Sequence, residues 1–500
     1  MANVGFVRRE VKKLLPIYEL VSDCCDGDFK VKSKKTKYLP KPNPDDPSTE
    51  NQHRYDQYVS RAIFYNVTKN TYAGLIGQIF SKEPQIELPT ALEILNKNAD
   101  GSGKSLEQLS KESVGYLLKG ARFGLLSDYP KTNSESSVEE ITNGNIRPSL
   151  KLYESKDIIN WRIKTEGAEK FYSLVVLKER FTSFDDGFEF KEQYNYRVLK
   201  LNNEGYYEVN IYNSDIDIAC LDSDYNVPAS FTDYKLKPEN IYIPTDFNGN
   251  KLKRIPFEFA GSDNNDAIPD IPVLYDIAVL NIGHYRNSAD YEEACYIVGQ
   301  PTPWFSGLTQ EWVKDNGVIQ LGSRGAIPLP VNGSAGLLQV TANSMPIEAM
   351  KHKEEQFLAL GAKLTSPSSG QKTATESKIN NITETSILST IATNASKAFE
   401  NALRNCMQFV AQSNSDKIIF ELNDDFEITK LTPAERAQLL SEWMKGAISW
   451  PELRANLREG KVDLQDDESA KKYIEEEAAT ALADQIKLQE SNSKIPSVGK

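Results

Sequence analysis

The stretch KNADGSGKSLEQL (97–109) carries residue types suited to chemistry. Its GKS end has the composition of a phosphate loop, in which backbone amides cradle phosphates beside a Lys and a magnesium-binding hydroxyl. That loop needs a Gly five residues before Gly103, and Asn98 stands there. No apolar strand precedes it either, because LEILNKN reads as the end of a helix. The same residues imitate a calcium loop, with Asn98, Asp100, Ser102 and Gly103 at positions one, three, five and six. Position twelve calls for a bidentate Glu and is Leu109. The expectation is a polar turn entering a helix, with Ser105 and Gln108 forming a capping box.

Other candidates are scattered. His53, His284 and His352 stand alone, none with a second His three or four residues away, so no His-based metal site is expected. His284 falls in a long helical segment and reads as a packing or interface residue. The five cysteines (Cys24, Cys25, Cys220, Cys295, Cys406) are odd in number and contain no CxxC pair. They suggest neither a zinc site nor a disulfide framework. No cofactor is expected. Asp290, Glu292 and Glu293 admit two readings: acid–base residues of a hydrolase, or an acidic stripe facing water or a lumen. No nucleophile elbow and no singled-out carboxylate pair accompany them, which favours the stripe. Lys363 and Lys372 flank a loop containing Ser366, Ser368 and Ser369. In a monomer this is a flexible linker. In a ring it would put mobile positive charge around an axis, touching phosphates without reading bases.

The elements around these residues say more than the residues do. Residues 269–300, PDIPVLYDIAVLNIGHYRNSADYEEACYIVGQ, predict a helix roughly 40 Å long, apolar in its first half and acidic in its second. Residues 346–362 predict another. Residues 376–412 repeat apolar residues at helical spacing over roughly 55 Å. Between the first two helices, 300–344 breaks into short strand candidates at 318–322, 326–330 and 336–341 and a short helix at 308–316. The pattern is helix, small β insert, helix, polar loop, long helix. It suggests two helices side by side carrying a β protrusion at their far end.

Upstream, 6–22, 54–82 and 105–122 read as helices, and FGLLSDYP (123–130) as a buried strand. From 148 to 260 apolar–polar alternation with Asp, Asn and Gly turns predicts an antiparallel β-rich region. A strand at 417–428 and helices at 432–445, 450–458 and 467–488 close the chain, before a tail expected to be disordered. The class is α+β.

Composition narrows the function. Hydrophobic residues make up 39% and net charge is −13, so the chain folds but is too acidic to grip duplex DNA tightly. A surface that lets DNA slide past remains compatible. No apolar run is long enough to span a membrane, and the charged N-terminus lacks a signal-peptide core. The protein is expected to be non-secreted, with no membrane partner.

Several segments carry a likeness. They are YLPKP (38–42), the Tyr55–Pro89 block ending in TYAGLIGQIFSKEPQIELP, DGSGKSLEQL (100–109), LLKGARFGLLSDYP (117–130), YESKDIINWR (153–162), IPVLYDIAVLNIGHYRNSADYEEACYIVGQPTPWFSG (271–307), TATE (373–376) and GAISWPELRANLREG (446–460). In this order the chain resembles the portal proteins of tailed bacteriophages, of a group first catalogued as a domain of unknown function. It departs at Ala121 and Ser127, where a Gly and a Val are more usual.

The resemblance implies a portal fold: an elongated subunit with a wing, stem helices, β clip, tunnel loop, long helix and helical crown. Its boundaries would be 1–147 and 148–267 (wing), 268–298 (first stem helix), 299–345 (clip), 346–362 (second stem helix), 363–374 (tunnel loop), 375–430 (long helix and return strand), 431–490 (crown) and 491–500 (tail). It implies a non-enzymatic homododecameric ring at one capsid vertex, assembled in the host cytoplasm. Double-stranded DNA would pass through it during packaging and ejection. Implied partners are the major capsid and scaffolding proteins, the terminase large subunit and a head–tail adaptor. Lys363, Ser366, Ser368, Ser369 and Lys372 would face DNA. Trp304, Phe305 and Arg324 would meet partners at the clip, and Asp290, Glu292 and Glu293 would line the channel. The competing expectations are a soluble hydrolase using its acidic residues and another phage neck or adaptor ring protein.

Overall fold

The computed structural model describes residues 4–130, 147–217, 235–299, 302–316, 329–338, 344–360, 374–410, 417–424, 433–459, 469 and 471–472. The chain divides into two compact units, Met1–Phe426 and Glu427–Lys500.

In the first unit the helices α1 (Arg9–Asp26), α2 (Asp28–Ser33), α3 (Thr49–Arg61) and α4 (Val67–Ile79) lead to β1 (Gln85–Glu87), α5 (Ile94–Lys97) and α6 (Leu106–Gly120). Strands β2 (Arg122–Asp128), β3 (Ser149–Glu154), β4 (Ile158–Glu166), β5 (Glu169–Asp185), β6 (Phe190–Leu201), β7 (Tyr207–Asp217), β8 (Lys235–Tyr242) and β9 (Phe257–Gly261) follow. Then come α7 (Tyr275–Val298), β10 (Thr302–Ser306), α8 (Gln310–Asn316), β11 (Ser334–Leu338), α9 (Met345–Ala359), α10 (Ala374–Val410) and β12 (Ile419–Glu421). The second unit contains α11 (Pro433–Met444) and α12 (Trp450–Glu459), where Trp443 and Trp450 pack with centroids 5.7 Å apart.

All strand pairs are antiparallel, so the class is α+β. β2 is central in the order β3-β2-β9, and the meander β4-β5-β6-β7-β8 forms a second sheet. β2 is buried on both faces, which is why Phe123, Leu125 and Leu126 do not follow a simple apolar–polar alternation. Gly124 is required there, because a Cβ would collide with the Phe257 ring. β5 alternates instead. Val175 and Leu177 join the core shared with Trp161, Phe257 and Phe259, while Val176 faces the smaller cluster of Tyr194, Tyr196 and Val198. Between the sheets the buried Arg197 bonds Glu179 at 2.8 Å and lies 3.7 Å from Asp128; Tyr153 donates to the same Glu179.

The helical core gathers α1, α3, α4, α6 and α7 around α10. From Leu388 to Met407, α10 is buried along one side at Leu388, Ile391, Ala395, Phe399, Ala402 and Cys406, the side chains expected from the helical period. Ser127 and Ala121 each have a structural role. The Ser127 hydroxyl donates to the Ala402 carbonyl at 2.7 Å, tying β2 to α10. Ala121 caps α6 at φ 54°, a left-handed conformation that glycine adopts without strain.

Two expectations need correction. Residues 54–82 are not one helix: α3 ends at Arg61 and α4 begins at Val67. The intervening backbone bonds to α7, with the Ile63 amide donating to Ser288 Oγ at 3.0 Å and the Tyr65 carbonyl accepting from Asn281 Nδ2 at 2.8 Å. Those tertiary bonds replace the helical ladder. The β insert also differs, since β10 at 302–306 is the partner of β11. The expected strands at 318–322 and most of 326–330, nearly all of the expected 467–488 helix, and the tail at 491–500 lie outside the described residues. Among the described residues no helix is long and apolar enough to cross a membrane.

Candidate functional site

The distinctive region runs from α7 through the β10–β11 hairpin to α9. α7 starts as a core helix: Ile277, Ala278, Ile282 and Tyr285 are buried against the helical core. Its second half is held by polar side chains from α3 and the segment after it. Tyr58 donates to Asp290 at 2.6 Å, and Arg61 pairs with Glu293 while its guanidinium lies 4.1 Å from the Tyr296 ring centre. Arg54 approaches Glu293 at 3.6 Å. Burial, with the Asp290 carboxylate alongside, pushes the Tyr58 phenol well up. Asn281, fully buried, accepts from the Thr68 amide at 3.2 Å and the Thr68 hydroxyl at 2.8 Å.

α9 packs on the same stretch of α7. Lys353 donates to Asn287 at 2.6 Å, and Phe357 packs on the His284 ring at 6.1 Å. As the contacts move back along α7 they move forward along α9, so the helices are antiparallel. His284 is buried between Tyr65 and Phe357, with Nε2 3.4 Å from Glu354 and Nδ1 unpartnered among the described residues. Burial lowers its pKa, and Glu354 opposes part of that shift.

Beyond the pair, β10 and β11 form an antiparallel ribbon in which Trp304 stands opposite Gly336 and Phe305 opposite Ala335. A Cβ at 336 would lie 2.9 Å from the indole nitrogen, so the missing side chain is the bed on which Trp304 rests. Trp304 stays 44% exposed and Leu337 65% exposed, leaving apolar surface on the ribbon.

The predicted site residues therefore separate. Asp290, Glu292 and Glu293 share the second half of α7, but Asp290 and Glu293 are engaged by α3. Trp304 and Phe305 share β10. Arg324 and the loop residues Lys363, Ser366, Ser368, Ser369 and Lys372 lie outside the described residues. The 97–109 stretch is a self-satisfied turn. Asn98 Oδ1 accepts the Gly101 and Gly103 amides, and Asp100 accepts from the Ser102 amide at 2.8 Å and hydroxyl at 2.6 Å. Lys104 turns away to Glu112 at 2.7 Å, and the Ser105–Gln108 capping box is formed. Among the described residues no group of three or more His, Cys, Asp or Glu could hold a metal ion.

Residues 273–410, the span from α7 to the end of α10, match the family described as "Domain of unknown function (DUF4055)". No curated protein matches the sequence. Among solved structures, a chain of "Virion of native gene transfer agent (GTA) particle" is similar at 12% identity and TM-score 0.42, over 80% of this chain and 92% of that one. A chain of "Neck of empty GTA particle computed with C6 symmetry" is similar at 13% identity and TM-score 0.39, over 79% and 90%.

Sequence reasoning missed Tyr58, Arg61, Thr68 and Ser288. Their partners lie more than 200 residues away. One signal was present: Asn281 and Ser288 recur at helical spacing among the buried positions of α7, and a polar residue on a packed face requires a partner.

Proposed function

We propose that this chain is a structural subunit of a phage-like particle that works as a ring, and within that class a portal protein. It would be a non-enzymatic conduit for double-stranded DNA at a capsid vertex. The observation that carries the reading is the antiparallel α7–α9 pair with a β ribbon between its ends, followed in sequence by the long helix α10. That succession is what the resemblance implies for stem, clip and channel helix, and an enzyme has no evident use for it. The hydrolase alternative has less support, because Asp290 and Glu293 are occupied by Tyr58 and Arg61.

On this reading the exposed apolar surface of the ribbon at Trp304 and Leu337, with Phe305 and Arg324, serves docking of the terminase large subunit and then the head–tail adaptor. Lys363, Ser366, Ser368, Ser369 and Lys372 meet DNA non-specifically. Glu292 lines the channel and helps keep phosphates from adhering, whereas Asp290 and Glu293 are taken up by Tyr58, Arg61 and Arg54. The capsid and scaffolding proteins are the partners of the outer body, and the location is the virion.

The test is the state of the purified full-length chain. Negative-stain class averages viewed down an axis should give closed rings, with a dodecamer as the expected number. A monodisperse monomer at every concentration overturns the proposal.

A further inference from the structure

The tip of the β5–β6 hairpin is an exposed aromatic knob. Phe188 is 97% exposed and Phe190 64%. Folding left this apolar surface in water although the backbone beneath it is well fixed. Asp186 accepts the Phe188 amide at 3.0 Å and the Glu189 amide at 2.7 Å, and its own amide donates to the Glu189 carbonyl. Gly187 sits at φ 92°, which the turn requires. β4 pairs with β5 from Glu169 to Leu177, so the knob lies beyond the stretch of β5 that β4 accompanies. Two rings held on a rigid turn are suited to fill a pocket on another surface at low entropic cost. The sequence of the tip is acidic, with Asp186, Glu189 and Glu192 against Lys191 alone.

The same chain carries the opposite combination. Phe29, on α2, is 87% exposed. Around it in sequence are Lys30, Lys32, Lys34, Lys35, Lys37 and Lys41, with Asp28 the single acid between 28 and 41. Several of these lysines have acidic partners within the chain, such as Glu19 for Lys34 and Lys37 and Asp56 for Lys35. Lys30 and Lys41 form no ion pair among the described residues. Phe29 and Phe188 are both too exposed to touch each other within one subunit.

We propose that the acidic aromatic tip at 186–190 of one subunit docks on the lysine-rich lobe at 29–41 of a second copy. The occupant is assigned by charge complementarity around an exposed ring on each side. The two patches differ, so the contact is heterologous and propagates from copy to copy until it closes. It rests on the ring reading above and assigns that ring an outer contact, apart from α7 and α9.

The experiment uses the full-length chain with Cys220→Ser and Cys295→Ser as background. Chains carrying Phe188→Cys and chains carrying Phe29→Cys are mixed and oxidised. The expected result is a disulfide between unlike chains, about tenfold above either chain alone. Glu189→Lys with Glu192→Lys should weaken association about tenfold or more, because like charges then face each other. Lys30→Glu with Lys41→Glu in the partner should restore it. Rings that form with no 29–188 link and no response to either reversal overturn this contact and leave the ring reading standing. A 188–188 link instead means a symmetric contact and also overturns it. A chain that never associates sinks both.

Discussion

Up to Ile282, α7 is held by apolar packing, with Ile277, Ala278 and Ile282 buried in the helical core. From Asn281 onward side-chain hydrogen bonds and ion pairs to α3, the 62–66 segment and α9 are added to the apolar contacts of Tyr285 and Ala289. The two means of attachment differ in consequence. Apolar burial is strong but leaves no surface for anything else, and it sets position only through shape. Hydrogen bonds contribute less net free energy yet fix orientation, and they let the opposite face remain wet. A helix that must leave a packed body and still point in a fixed direction needs the second kind at its far half.

Substitutions in the two halves should therefore behave differently. Ala278→Asp puts an unpaired carboxylate at a fully buried position and should cost about 4 kcal/mol or more, read as loss of the cooperative unfolding transition. Asn281→Leu sits at the boundary. It strands the Thr68 amide and hydroxyl and the Tyr65 carbonyl, and should cost about 3 kcal/mol by denaturant unfolding. Glu293→Gln, in the polar half, should cost only about 1 kcal/mol, and the difference from the parent should shrink in high salt. If Glu293→Gln proved as damaging as Ala278→Asp, the distinction between the halves would collapse.

The smallest effect concerns acid. His284 is buried with its pKa below the ordinary value near 6.5, so its neutral form belongs to the folded state. The unfolded chain takes up the proton first. Stability contributed by neutral His284 is complete above about pH 6.5 and declines as pH falls toward the lowered folded pKa. His284→Phe should flatten that decline in Tm against pH, leaving the rest of the profile unchanged.

Elements governed by local periodicity were legible in the sequence. α10 was visible from its apolar spacing, α6 from its capping box, and the meander from its alternation, because each depends on residues within one or two turns of each other. What was not legible depends on distant partners. The break between α3 and α4 exists because Ser288 and Asn281 take up backbone groups at Ile63 and Tyr65. β10 was missed because two residues of TPWFS, Thr302 and Pro303, look like a turn until β11 is placed beside them. At the candidate site, the sequence singled out the acidic residues but could not show that Tyr58 and Arg61 engage two of them. A carboxylate reads the same in sequence whether or not an arginine reaches it.

β1 and β12 pair Gln85–Glu87 with Ile419–Glu421, and Phe420 stacks on Phe399 at 4.7 Å to seal the join. This short ribbon has a temporal consequence. During synthesis at about 5–20 residues per second, β1 waits on the order of 20 to 70 s for its mate. Until then β1 presents an open strand edge to water. The ribbon of the first unit can close only when nearly all of that unit has left the ribosome.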